Sequence, residues 1–223
     1  MKGEIEPFRL AAHRAVDWIA EYLEDPRRYP VAPRMRPGEL VDALAASAPE
    51  QGEPYEALLA DFQCLLLPAV THWNHPRFFA YFSTTGSPPA ILGEMLAAAL
   101  NTNGIHWMTS PAVVELEQVT LGWLRQWLGL PGEFFGEIFD TASVSSLHAI
   151  AAAREMADPE IKQRGARPGL TLYCSEQAHS SVEKGALVLG IGRQHIRKIP
   201  VDAEFRMRPD ALEQAIRQDL SDG

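Results

Sequence analysis

The chain has 223 residues, 46% of them hydrophobic and 22% charged, with a formal net charge of −9. That balance is ordinary for a globular protein, and the acidic excess argues against a nucleic-acid partner, whose phosphates it would repel. Cys64 and Cys174 are the two cysteines, with no C-x-x-C spacing, so no cysteine metal site or disulfide framework is expected; both lie in apolar runs and are expected to be buried, reduced thiols.

The first seven residues carry two acids and no apolar core, so no signal peptide is read there. Residues 6–24 place Phe8, Ala12, Val16, Ile19 and Leu23 at spacings of three and four, the pattern of an amphipathic helix. Asp25-Pro26 ends it. A connector with Pro26, Pro30, Pro33 and Pro37 follows, stiff and closed to helix. Further helices are expected from 38 to about 46 and from 53 to 67. An arm of this kind cannot bury its apolar stripes alone. It must lie on its own body, on a partner or on a membrane, and a stripe without clustered Lys and Arg makes the membrane the weakest of the three.

Beyond Ser87 the chain becomes a run of helical segments. The stretch 90–100 is the most apolar, but Gly93 and Glu94 interrupt it and it is too short to span a bilayer. A soluble, cytoplasmic protein without a membrane partner is the expectation. Ser110-Pro111 reads as an N-cap serine with proline at the first helical position, opening a helix that Gly129 stops after 128. Its apolar residues fall on two stripes, which predicts burial on more than one side, with Trp123 and Trp127 in the core. From 137 onward, strands at 137–140, 170–174 and 194–199 alternate with helices at 143–156, 180–189 and 209–220. That order predicts an α/β layer with crossover helices. Residues 156–168 read as an exposed loop. Gly190-Ile191-Gly192 follows a helix and not a strand, so it reads as a helix stop and not a dinucleotide site. The domain boundary is placed between residues 86 and 87, with a helical arm before it and an incomplete α/β domain after it.

Two segments carry chemistry. Asp140-Thr141-Ala142-Ser143-Val144-Ser145-Ser146 precedes an Ala-rich helix, so small hydroxylated residues gather at a helix N-terminus. Free N–H groups and the positive end of the helix dipole make that position an anion site, to which the hydroxyls of Thr141 and Ser143 add donors. Farther on, Cys174-Ser-Glu-Gln-Ala-His179-Ser-Ser-Val-Glu-Lys-Gly-Ala186 puts His179 between a short strand and a helix that Ser180 and Glu183 are expected to open as a capping box. In α/β proteins ligands bind at this end of the strands. His72, His75 and His106 have no carboxylate or cysteine to complete a ligand set, and no metal is expected.

Together with His72-Trp-Asn-His-Pro-Arg-Phe-Phe-Ala-Tyr-Phe82 and Trp107-Met-Thr-Ser-Pro-Ala-Val-Val-Glu-Leu-Glu117, these segments resemble the aromatic-L-amino-acid decarboxylase family, the group II pyridoxal-phosphate-dependent decarboxylases. The resemblance implies a helical arm followed by the first part of a type I aminotransferase-like large domain. It implies pyridoxal 5'-phosphate as cofactor, its phosphate on Thr141, Ala142 and Ser143, with His179 stacked on the ring as the catalytic residue. Trp73, Tyr81, Phe82, Thr84, Asn103 and Ile105 match pocket-lining positions for an amino acid substrate, with an aromatic one expected. The arm is implied to dimerise with a second copy. Asp140 stands where many members have glycine and is expected to point away from the phosphate. Asn103 is polar where aromatic-selective animal members tend to be apolar. Family members continue about as long again, through an aspartate for the pyridine nitrogen and a Schiff-base lysine in a His-Lys pair. Of the four lysines, Lys2, Lys162, Lys184 and Lys198, none follows a histidine. The expectation is therefore an N-terminal half, inactive alone, associating with itself or with a second chain that supplies the remainder. A non-catalytic fragment, or an aldehyde synthase on the same scaffold, is the alternative.

Overall fold

The structure is a computed structural model and describes residues 5–165 and 169–222. It divides into two units, Met1–Thr102 and Asn103–Gly223.

In the first unit, α1 spans Ile5–Glu24. The Asp25 carboxylate accepts from the Arg27 amide at 3.2 Å and caps a 3-10 turn, Pro26–Arg28. Gly38, at φ 98°, takes the left-handed conformation that starts α2, Glu39–Ala43. The helix expected through residue 67 is shorter: α3 covers Tyr55–Asp61, then widens into a π turn, Phe62–Leu66, and tightens into a 3-10 turn, Leu67–Ala69. Pro68 supplies the reason, since it lacks the N–H that would continue the α ladder. α1 lies against this segment through Trp18, edge-on to Phe62 at 4.8 Å, and Phe8, edge-on to Tyr55 at 6.1 Å. α4, Pro88–Leu100, opens on a proline and ends at Asn101 in the left-handed region, φ 48°; it clusters with the first unit.

The second unit begins with α5, Pro111–Trp127, stopped as expected at Gly129, φ 66°. Then come α6 (Ala142–Ala157), α7 (Ile161–Arg164), β1 (Leu172–Ser175), α8 (Ser180–Val188), β2 (Ile196–Ile199) and α9 (Pro209–Asp222). β1 and β2 pair in parallel, Leu172 opposite Ile196 and Ser175 opposite Ile199, with α8 as the crossover. Two expectations fail. The strand at 137–140 does not form: a strand needs a neighbour for its amides, and here the Ile138 N–H goes to the Glu117 carboxylate at 3.4 Å while Phe139 stacks on His148 at 4.2 Å. The expected loop 156–168 contains the short helix α7, and its residues 166–168 lie outside the described residues.

The tightest packing joins α6 and α8. Ser146 faces Ser181, Ile150 faces Gly185 and Arg154 reaches the Leu189 carbonyl, so partners advance together and the helices run parallel. Gly185 makes the approach possible: a Cβ there would sit 3.3 Å from Ile150 Cδ1 and 3.4 Å from the Leu147 Cα. Ile161, Cys174, Ala186, Ile191 and Ile199 are buried in this unit.

Elsewhere burial is sparse. Trp123 and Trp127, expected in the core, are 51% and 79% exposed. Phe79 is also exposed, as is Cys64, which was expected to be buried. The apolar stripes are real, but no layer of the described residues covers them.

Candidate functional site

At the start of α6, Thr141 is the N-cap in extended conformation, and its Oγ1 accepts from the Val144 amide at 3.3 Å. The Thr141 carbonyl accepts from the Ser145 amide at 3.0 Å. The amides of Ala142 and Ser143 have no acceptor among the described residues, and with the hydroxyls of Thr141 and Ser143 they form an exposed group of donors at the positive end of a helix of 16 residues. Asp140, next to it, is also exposed.

α8 starts differently from the expected capping box. His179, not Ser180, is the N-cap: its Nδ1 accepts from the Ser181 amide at 3.3 Å. Glu183 is drawn instead to two cations, Arg193 at 3.1 Å and Lys198 at 3.3 Å, and so does not turn back to the cap. An amide N–H can only donate, so Nδ1 holds the lone pair and the neutral ring carries its proton on Nε2. The ring is exposed.

Parallel packing places both N-termini at one end of the helix pair. One turn in, the Ser146 and Ser181 hydroxyls are 3.5 Å apart. The structure thus brings Thr141, Ala142, Ser143 and His179 to a common edge. Asn103 and Ile105 are not part of it. The Asn103 Oδ1 accepts from the Ile105 amide at 3.0 Å, and Ile105 lines a cavity of about 650 Å³ with Val114, Leu121 and Phe134 that includes none of those four residues.

In the first unit, Trp73 stacks on Tyr81 at 5.6 Å, nearly coplanar, and leans on Phe78 at 4.8 Å. Tyr81 has φ 58°, uncommon for an aromatic residue. Trp73, Tyr81, Phe82 and Thr84 are exposed, an aromatic shelf. Its anchor is a residue that sequence reading weighed only as a metal ligand. His72 is 2% exposed; its Nδ1 lies 3.0 Å from the Tyr22 hydroxyl, its ring stacks on Tyr29 at 4.9 Å, and its amide donates to the Val31 carbonyl at 2.9 Å. Burial, and then the neighbouring His75, holds the His72 imidazole below the usual histidine range, while burial pushes the Tyr22 phenol up. No local spacing signals this anchor, because Tyr22 is 50 residues away.

Residues 37–223 match the pyridoxal-dependent decarboxylase conserved domain. The chain belongs to the pyridoxal-dependent decarboxylase family. It is 40% identical over 231 residues to the aromatic-L-amino-acid decarboxylase of Bos taurus, a match covering 97% of this chain and 47% of that relative. Among solved structures it is similar to Oryza sativa TDC with PLP and tryptamine, at TM-score 0.87 and 34% identity, over 98% of this chain and 49% of that one. It is also similar to Rhodiola rosea 4-hydroxyphenylacetaldehyde synthase, at TM-score 0.87 and 35% identity, over 97% and 48%. The chain spans about half the length of the curated relatives it matches. Its fold is the α/β fold of these decarboxylases, and the cofactor of the family is pyridoxal phosphate.

The donors at the α6–α8 edge fit that cofactor. Two free amides and two hydroxyls at a helix N-terminus suit a phosphate, and an exposed imidazole offers a face for the pyridine ring. Of the lysines described, Lys162 pairs with Glu155 at 2.5 Å, Lys198 pairs with Glu183, and Lys184 is exposed on α8. Among the described residues no group of histidine, cysteine and carboxylate side chains is arranged to hold a metal, and no helix is long and apolar enough to cross a membrane.

Proposed function

We propose that this chain supplies the phosphate-holding turn, the ring-supporting histidine and part of the substrate pocket of a pyridoxal-phosphate-dependent decarboxylase acting on an aromatic L-amino acid. The observation that carries this reading is the parallel packing of α6 on α8, which sets the free donors of Thr141–Ser143 and the His179 ring at the same end of one helix pair. When bound, pyridoxal phosphate takes up the electrons left behind by departing carbon dioxide. The Ala142 and Ser143 amides and the Thr141 and Ser143 hydroxyls hold the phosphate, with the α6 dipole in support. Asp140 turns its carboxylate away. His179 lays its face on the pyridine ring and presents Nε2–H to the substrate carboxylate. Trp73, Tyr81 and Phe82, with Thr84, receive the aromatic side chain. The apolar stripe of α1, with Ile5, Phe8 and Val16 exposed, is the surface for a homodimer partner. None of the four lysines in these residues follows a histidine, so these residues by themselves are read as binding the cofactor weakly and as non-catalytic without a lysine from elsewhere.

The test is His179→Ala in the active assembly. Turnover of L-tryptophan or L-tyrosine, followed as carbon dioxide release, falls at least about a hundredfold, while cofactor retention changes little. Unchanged turnover would remove His179 from the mechanism. Likeness to the Rhodiola rosea aldehyde synthase favours a second reading, in which the same site, with dioxygen as oxidant and water as co-reactant, yields an aldehyde. Ammonia and hydrogen peroxide formed in step with carbon dioxide would select it; an amine product without them selects decarboxylation.

A further inference from the structure

We propose that Ser181 is the positioning residue for His179, fixing its imidazole in the Nε2–H form. The importance of that orientation for catalysis rests on the function proposed above; the tautomer itself does not.

The geometry assigns each proton in turn. Ser146 Oγ donates to the Ala142 carbonyl at 2.9 Å, so its hydrogen is committed. Ser181 Oγ then has two acceptors within reach, His179 Nδ1 at 3.0 Å and Ser146 Oγ at 3.5 Å. The nearer one takes the hydrogen. Nδ1 therefore receives both the hydroxyl and the amide of the same residue, and the ring proton is confined to Nε2. Ser181 is 6% exposed, so water competes little for its hydroxyl. With both hydroxyl hydrogens so placed, none lies between the two serine oxygens, and Ser146 is only the more distant, competing acceptor for Ser181. His148 provides a contrast on the same helix pair: its Nδ1 faces the Val144 carbonyl at 2.9 Å, an acceptor only, so it must carry its proton on Nδ1.

The test is a long-range 15N–1H correlation spectrum of the histidine-labelled full chain without cofactor. In the wild type, His179 shows an unprotonated Nδ1 and a protonated Nε2, and His148 shows the reverse. Ser181→Ala leaves only the amide on Nδ1, and the tautomer ratio of His179 falls about fivefold, the fold equivalent of one neutral hydrogen bond. Ser181→Thr restores it. Ser146→Ala moves the His179 signals less than Ser181→Ala does. The His148 signals stay unchanged throughout, which marks the variants as folded. A wild-type His179 protonated on Nδ1, or a Ser181→Ala spectrum identical to the wild type, would overturn the assignment. Adding pyridoxal phosphate afterwards separates the two claims: His179 signals that ignore the cofactor contradict its cofactor role, and leave the tautomer result standing.

Discussion

His72 and His179 use the same ring atom in opposite ways. Both engage Nδ1, but His72 does so inside the first unit, 2% exposed between Tyr22 and Tyr29, whereas His179 does so at a helix end with its ring exposed. The partners of the first come from far along the chain. The partner of the second is two residues on. A ring enclosed by distant groups holds a fold together. A ring pinned at one nitrogen by its own helix leaves the other nitrogen and a face for a ligand.

Stability measurements sharpen that contrast. The largest effect is expected for His72→Ala, which removes a buried ring and strands the Tyr22 hydroxyl; the first unit loses about 3 kcal/mol, read from denaturant unfolding followed at Trp18. A loss under about 1 kcal/mol would show that the aromatic shelf does not depend on this anchor. Gly185→Val forces α6 and α8 apart where a Cβ already meets Leu147 and Ile150; the second unit loses about 2 kcal/mol, and pyridoxal phosphate binding weakens with it. His179→Ala removes only an N-cap, about 1 kcal/mol, so the exposed histidine costs far less stability than the buried one.

The smallest effect is a slope with pH. Burial lowers the folded His72 value beneath the unfolded one. Its contribution is therefore complete above the unfolded value, about 6.5, and is lost as pH falls through the folded value. His72→Phe removes that slope from the unfolding free energy of the first unit, and an unaltered slope would contradict the assignment.

The helices expected from 143 and from 180 begin at 142 and 180, and these starts were legible in sequence because their cues are local. Small hydroxylated residues before an Ala-rich run give Thr141 its cap, and the turn at Gly129 follows from a residue that accepts positive φ. The cap of α8 was misread because Ser180 and Glu183 have the spacing of a box, while Arg193 and Lys198, which claim Glu183, lie on the far side of the helix in sequence. The missing strand at 137–140 has the same origin: its residues favour a strand, but a ladder needs a neighbour. His72 was invisible for the reason that makes it structural, since its partners sit in α1 and the proline-rich connector. Trp123 and Trp127 have the pattern of a core without a covering layer among the described residues.

The central claim is that the α6–α8 edge receives the cofactor. Its most direct measurement is an amide and histidine-ring NMR titration of the full chain with pyridoxal phosphate, competed by inorganic phosphate. The account predicts that the Ala142 and Ser143 amides and the His179 ring shift together, that excess phosphate returns the His179 ring to its free position while itself keeping the two amides shifted, and that Ser143→Asp abolishes all three. Cofactor binding that leaves these three residues unmoved, with shifts confined to other parts of the chain, would contradict it.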